Sequence, residues 1–250
     1  MKVNLNDELE KLYHNFFKQM NINSNTGIIE GTTHRFATKM AVGENYENAK
    51  SKILFISLDI GKDELFAQNT YQTLADRRAT VCEIGNLQNK NAHMAGVYGA
   101  ALYFLKDQHG WQNSWNILKD SEQQFASILK SQANNLPQDV LSYISLVNFY
   151  NFVTVGRDNR TGEKDRNIIN DELESQLLIN IINVTKPNVI IVQSKTLSNY
   201  LKEVIIPHIS SNTKIYVTYH PSVIGRLIQY RIPKNYIKDI LDNEIKNIVF

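Results

Sequence analysis

Short apolar runs alternate with amphipathic segments along this chain. Four runs are short, continuous and rich in branched aliphatic residues, as strands buried on both faces are; they span residues 53–56, 143–147, 188–192 and 214–218. Apolar residues at helical spacing predict helices over residues 7–20, 92–106, 121–131, 170–184, 196–205 and 234–248. A less apolar run at 80–84 predicts a further strand, and residues 21–51 and 156–165 have the polar, irregular pattern of loops.

This order of elements predicts the fold class. Strands that alternate with helices favour an α/β fold whose sheet is mostly parallel. We therefore expect a three-layer α/β/α sandwich around a central, mostly parallel four-stranded sheet. Residues 1–250 are expected to form a single domain, in which residues 1–50 supply an N-terminal helix and a lead-in to the first core strand.

Polar residues stand where three of the predicted strands end. In parallel sheets, ligands bind beyond the carboxyl ends of the strands, and that rule selects residues 59–61, 148–160 and 220–226. Asp59 supplies a carboxylate, Asn148 an amide that can read a planar base edge, and His220 a titratable ring ahead of a proline. Each of these residue types is also common in structural turns. In one cleft, the three would form a set for acid–base chemistry and recognition.

Composition narrows the class of partner and excludes several cofactors. Lys and Arg number 27 and Asp and Glu 25, a net charge of +2 that argues against a histone-like polycation. Cys82 is the only cysteine, which excludes an internal disulfide and any four-thiolate zinc or iron–sulfur centre. The histidines show no metal-binding spacing, so we expect no metal and no cofactor. Without a signal-type segment or a membrane span, the protein is expected to be intracellular and cytoplasmic, with no membrane partner.

Three motifs occur in a recognisable order. They are ILFISLDIG at residues 53–61, SLVN at 145–148 with the loop that follows it to Arg160, and HPS at 220–222. With the strand at 186–192, they resemble the uracil-DNA glycosylase superfamily over about residues 40–226. HPS is the most specific element. The first motif departs from the family pattern, because Ser57 replaces its leading glycine and Ile60 its proline.

The resemblance implies a role for each strand end. Asp59 would stabilise the cationic sugar and orient the attacking water, His220 would donate a hydrogen bond to the base carbonyl, and Asn148 would bind the base edge. Gly61 stands where the best-known branch carries an aromatic residue that blocks 5-substituted pyrimidines, so room near C5 of the base is expected. An aromatic residue should stack on the base, and the sequence leaves three candidates open, which are Phe66, Tyr71 and Phe149.

The segments after Asn148 and His220 are expected to contact DNA, duplex or single-stranded. By resemblance, the turn that holds Ser222 would reach the duplex and Ile224 would fill the space left by the flipped base. Phosphate contacts are expected from three arginines near the strand ends, Arg157, Arg160 and Arg226. Arg77 and Arg78 form a further basic pair without an assigned role. We expect a monomer that is nucleoid-associated when it acts.

Three functions remain open at this point. The first is a monofunctional DNA glycosylase that flips out a uracil-like or 5-modified pyrimidine and hydrolyses its N-glycosidic bond, leaving an abasic site. The second is a non-catalytic nucleic-acid-binding module on the same fold, which the altered first motif motivates. The third is a small-molecule enzyme such as a nucleotide hydrolase, against which the lack of a glycine-rich phosphate loop argues. DNA repair and defence against modified foreign DNA both fit the first.

Overall fold

The computed structural model describes residues 4–58, 60, 62–82, 92–123, 125–157, 168–221 and 232–245. Within these ranges the helices are α1 (Leu5–Gln19), α2 (Leu74–Cys82), α3 (Ala92–His109), α4 (Gln112–Lys119), α5 (Phe125–Gln132), α6 (Asp171–Thr185), α7 (Ser198–Tyr200) and α8 (Pro233–Asp242). The strands are β1 (His34–Phe36), β2 (Ala41–Val42), β3 (Ile53–Ser57), β4 (Ile144–Asn148), β5 (Phe152–Thr154), β6 (Val189–Val192), β7 (Lys214–Val217) and β8 (Glu244–Ile245). None of the described helices combines the length and the apolarity needed to cross a membrane.

The main sheet is mostly parallel. Its strand order is β2-β4-β3-β6-β7-β8, and the inner four strands run parallel to one another. The two-residue strands β2 and β8 add antiparallel edges, while β1 and β5 pair in a separate antiparallel ribbon. The prediction of an α/β fold with a mostly parallel sheet is confirmed. The prediction of four strands is not, because two short edge strands extend the sheet to six in the described residues.

Helices cover both faces of this sheet. Side chains alternate along each strand, so Ile53 and Phe55 of β3 pack into one core, and Leu54 and Ile56 pack into another. The first core also takes residues from α3, α4, α5 and α8, and we call this side the α3 face. The second takes residues from α1 and α6, and we call it the α6 face.

The chain connections locate the place where a ligand is expected. From β3 to β4 the chain passes over the α3 face, and from β4 to β6 it returns over the α6 face. Right-handed crossovers require this change of face, because the two connections run across the sheet in opposite directions. The direction in which the connections cross the sheet therefore reverses between β3 and β6. In open α/β sheets, the crevice at the carboxyl ends of two such strands is the usual ligand site.

Residues 80–82, predicted as part of a strand, instead end helix α2. The helix begins with a capping box, in which the Asp76 amide donates to Thr73 Oγ1 and the Thr73 amide donates to Asp76 Oδ2. Val81 is buried in the α3-face core and Cys82 packs against it. Helix initiation by the cap therefore overrides the strand preference of Thr80 and Val81.

Two further predictions needed correction at segment boundaries. The last helix was expected over residues 234–248, but α8 ends at Asp242 because the chain turns there to pair β8 with β7; residues 246–248 lie outside the described residues. The stretch at 21–51, predicted as irregular, contains β1 and β2. These strands have only three and two residues, which is too short for an alternating pattern to be visible in sequence.

A buried ion pair fixes the segment that follows β3. Arg35 Nε lies 3.4 Å from Asp63 Oδ1, and each side chain is only 1% exposed. Arg35 also donates to Asn69 Oδ1, at 3.1 Å. The other carboxylate oxygen of Asp63 accepts from the Gly156 amide at 3.0 Å, and the Asp63 amide donates to the carbonyl of Arg157. Asp63 thus holds together the segment after β3, strand β1 and the end of β5.

We expect Asp63→Ala to lower the free energy of unfolding by about 3–5 kcal/mol, because it leaves the Arg35 guanidinium buried without its counter-charge. Urea denaturation measures the change. The matched control is Asp107→Ala, which removes a carboxylate that is 78% exposed and lies 3.5 Å from Lys106; a surface pair of this kind is worth below about 1 kcal/mol. Equal losses in the two variants would contradict the role assigned to Asp63.

Candidate functional site

Four buried polar side chains form a line across the carboxyl edge of the parallel strands. Ser57 is paired in register with Asn148, and Gln193 and Thr218 directly follow strand residues that are aligned with Ile56 of β3. All four are at most 6% exposed. Their side chains share the α3 face, since the residue two positions earlier in each strand lies in that core; these residues are Phe55, Leu146, Ile191 and Tyr216. We call Asn148, Ser57, Gln193 and Thr218 the polar row.

A histidine from helix α3 completes a hydrogen-bonded cluster on the polar row. His93 Nε2 lies 2.9 Å from Ser57 Oγ and 2.9 Å from Gln193 Oε1. Ser57 Oγ donates to the same Gln193 oxygen at 2.7 Å. An amide oxygen can only accept, so with Oε1 of Gln193 facing the ring this contact requires the tautomer of His93 that carries its proton on Nε2. Three side chains that are distant in sequence are thereby fixed to one another where β3 and β6 end.

His93 is held in its neutral form. Burial lowers its pKa to about 3, the nearby rings and charges of His220 and Arg77 act in the same direction, and the hydrogen bond to Gln193 opposes them. His93 and His220 stack with ring centroids 4.8 Å apart and planes inclined by 15°. An uncharged imidazole is therefore packed directly against the predicted catalytic histidine.

Two amide nitrogens of the polar row are buried without a hydrogen-bond partner among the described residues. They are Asn148 Nδ2 and Gln193 Nε2. Leaving such a donor unpaired in the interior costs about 1–3 kcal/mol. Because buried polar groups are nearly always paired, unpaired donors at the edge where open α/β sheets usually bind ligands suit a hydrogen-bond acceptor.

The end of β7 is tied to helix α8 and to the segment after β6. Thr218 Oγ1 donates to Asp239 Oδ2 at 2.9 Å, and Lys195 Nζ donates to the other oxygen at 3.0 Å. The same ammonium lies 4.1 Å from the ring centroid of Tyr219. This network fixes the backbone that leads into His220.

The structure brings two of the predicted strand-end residues to the same edge of the sheet. Asn148 ends β4, and His220 follows β7 and stacks on the histidine that contacts the polar row. Arg157 is partly exposed after β5, and its carbonyl accepts from Asp63. Several other predicted positions lie outside the described residues; these are Asp59, Gly61, Arg160, Ser222, Ile224 and Arg226. The same holds for the side chain of Phe66.

The other two aromatic candidates for base stacking pack elsewhere. Phe149 lies in the α6-face core, on the opposite side of the sheet from Asn148, with its ring edge-on to Tyr150 and Tyr200. Tyr71 belongs to the same core and packs edge-on against Phe17. In this arrangement neither ring lines the polar row.

The paired arginines at 77 and 78 differ in their surroundings. Arg78 Nε donates to the carbonyl of Val42 at 2.6 Å, so it links α2 to the sheet edge. Arg77 Nε is buried and has no partner within the described ranges. Burial lowers the pKa of Arg77 to about 10, so it remains a cation at neutral pH, and its charge disfavours protonation of His93.

Sequence reasoning missed four residues of this site, namely Ser57, His93, Gln193 and Thr218. The rule that selected Asn148 applies equally to Gln193, a polar residue directly after a buried strand. Ser57 stands in the sequence where the family pattern has a glycine, which gives no sign of a role of its own. His93 lacks metal-ligand spacing, and the described residues contain no group of three or more His, Cys, Asp or Glu that could hold a metal ion. No sequence pattern places His93 beside Gln193.

Comparison with models of known protein families found no match, and neither did comparison with curated proteins.

Below its unfolded-state pKa of about 6.5, His93 binds a proton when the chain unfolds but not in the native state. The free energy of unfolding should therefore fall as the pH is lowered, by roughly 2 kcal/mol between pH 7 and pH 5 from this residue alone. We expect His93→Gln to remove that part of the pH dependence, as measured by urea denaturation across this range.

The control is His14→Gln, at an exposed position of α1, which should leave the pH dependence as in the parent protein. Parallel curves for His93→Gln and the parent would show that His93 does not stay neutral in the native state.

Proposed function

We propose that this protein is a monofunctional DNA glycosylase that hydrolyses the N-glycosidic bond of a flipped uracil-like or 5-modified pyrimidine and leaves an abasic site. The observation that carries the proposal is the buried amide nitrogen of Asn148, which has no hydrogen-bond partner among the described residues and lies at the carboxyl edge where His220 also lies. Both residues belong to the motifs that resemble the uracil-DNA glycosylase superfamily. We also propose that the domain is a three-layer α/β/α sandwich around the inner four parallel strands. The helices that pack on both faces of the sheet support this.

The chemistry assigns one task to each strand end. As the glycosidic bond breaks, the sugar becomes cationic and the base leaves as an anion. The carboxylate of Asp59 stabilises the cation and orients the water that adds to the sugar carbon. His220 donates a hydrogen bond to the base carbonyl, and one preorganised donor of this kind contributes about 3–4 kcal/mol to the transition state. The water supplies a hydroxyl to the sugar and a proton that ends on the base.

The neutral state of His93 supports this assignment for His220. Two stacked imidazoles cannot both be positively charged without strong repulsion, and burial keeps His93 uncharged. The face of His93 then packs against His220 and restricts its orientation, while Gln193 and Ser57 hold His93 through its Nε2 atom. A histidine held in this way is preorganised to act on a base in a fixed place.

Base recognition is assigned to Asn148 and to the space beside Gly61. A nucleotide must leave the duplex to reach this edge, at a cost of a few kcal/mol. The Asn148 amide then binds the base edge, and a glycine at 61 leaves room for a substituent at C5. Ser222 and Ile224 contact the duplex, Arg157, Arg160 and Arg226 bind phosphates, and the protein acts as a monomer.

We expect Asn148→Ala and Asp59→Asn each to reduce base release at least about 100-fold, because each removes a preorganised group that acts on the base or the sugar. Duplexes that carry uracil, 5-hydroxymethyluracil or other 5-substituted pyrimidines are incubated with the protein, and abasic sites are then cleaved with alkali. The control, Asn212→Ala, changes an exposed asparagine beyond the opposite edge of the sheet and should retain full activity.

Full activity of both site variants on the substrate that the parent protein cleaves would refute the assignment. DNA binding by the parent protein without base release from any duplex would instead favour the non-catalytic nucleic-acid-binding module. Binding of free nucleotides without binding of DNA would favour a small-molecule enzyme.

A further inference from the structure

Gln193 has the properties of a ligand-binding residue. Its side chain is completely buried at the end of β6, and its amide oxygen and amide nitrogen have different surroundings. Oε1 accepts from Ser57 Oγ at 2.7 Å and lies 2.9 Å from His93 Nε2. Nε2 has no hydrogen-bond partner in the part of the chain that the structure describes. The carboxamide is therefore anchored by its oxygen, and its two N–H donors remain available.

The position of Gln193 relates it to Asn148. Both flank Ser57, one strand to each side, and adjacent strands are about 4.8 Å apart. Both side chains lie on the α3 face, as the alternation along β4 and β6 requires. The unpaired buried atoms of the polar row are thus two amide nitrogens, one on each side of β3, and both are donors.

We propose that Gln193 is a second base-recognition residue, whose amide N–H donates to an acceptor oxygen of the bound base while Ser57 and His93 position it. The proposal rests on the glycosylase function above and extends it to a residue outside the three motifs. The acceptor is either a ring carbonyl or an oxygen on the C5 substituent. Because the amide nitrogens of Gln193 and Asn148 are shielded from solvent, the base reaches them only when this edge opens locally.

Ser57 and His93 keep Gln193 in the orientation that this role needs. With the Ser57 hydroxyl and the Nε2–H of His93 both donating to Oε1, rotation of the carboxamide by half a turn would require both groups to become acceptors, with the ring proton of His93 moved to Nδ1. The low pKa of His93, which burial causes, keeps the ring neutral over the range in which most assays are run. Ser57 and His93 are therefore positioning residues, and Gln193 is the residue that contacts the base.

The test is a double-mutant cycle in which Gln193 is substituted on the protein and one acceptor oxygen is removed from the base. Equilibrium binding of free uracil, 2-thiouracil, 4-thiouracil, 5-hydroxymethyluracil and thymine is measured for the parent protein and for Gln193→Met. Sulfur is a weak acceptor, and thymine lacks the hydroxyl of 5-hydroxymethyluracil. We expect that removal of one particular oxygen from the base weakens its binding to the parent protein about tenfold. The same removal should weaken binding to the Gln193→Met variant by less than about twofold.

The oxygen whose removal is coupled to the Gln193 substitution shows whether the acceptor is a ring carbonyl or an oxygen on the C5 substituent. Ser57→Ala should reduce the coupling without abolishing it, an effect that a merely structural role for Ser57 would not produce. The control, Gln112→Met at an exposed position of α4, should keep the full coupling. Because Gln193 is buried, the isosteric Gln193→Glu is measured as a second variant, and melting temperatures identify any variant that does not fold.

The outcome is separable from that of the alkali-cleavage assay. Base release without any coupling between Gln193 and an acceptor atom refutes this inference and leaves the proposed function standing. Coupling without base release keeps the inference and refutes the glycosylase. If the parent protein itself binds every probe with equal affinity, the inference is refuted without recourse to any variant.

Discussion

The register of the four inner strands is the constraint on which the site depends. Parallel pairing aligns Ser57 with Asn148, and the same alignment continues through β6 to β7. Because side chains alternate with a period of two, a slip of one residue in any strand would move its terminal polar group to the α6 face. The two apolar cores prevent such slips, since each strand buries both of its faces. The cores that stabilise the sheet therefore also bring the polar row together.

The site combines neutral, hydrogen-bonded groups with fixed ionic supports around it. Ser57, His93 and Gln193 form an uncharged cluster in the interior, where an unpaired charge would be strongly unfavourable. The ionic groups bind the surrounding segments, through Asp63 with Arg35 on one side and Asp239 with Lys195 on the other. This division allows the loops to be anchored strongly without placing a charge on His93.

The fold could be predicted where the hydrophobic pattern extends over several consecutive residues. It could not be predicted for two-residue strands or for contacts between residues far apart in sequence. The four core strands are short, mostly apolar runs rich in Ile, Leu and Val, so the sequence predicted them within a few residues. The edge strands have two residues each, and no periodicity can be read from two residues. At residues 80–82, the capping box of Thr73 and Asp76 starts a helix that overrides the strand preference of Thr80 and Val81. The strand-end rule located Asn148 and His220. His93 lies 100 positions before Gln193, and only the packing of α3 across the sheet brings the two together.

The two-residue strands β2 and β8 at the edges of the sheet affect how readily molecules associate at high protein concentration. An exposed edge of a parallel sheet offers a row of free backbone groups that can pair with another molecule. Here β2 pairs with two residues on the open side of β4, and β8 pairs with two residues of β7. In the part of the chain that the structure describes, each outermost strand has two residues, so it presents few backbone groups of its own. A sheet with such borders is a poor template for intermolecular pairing and for the aggregation that follows from it.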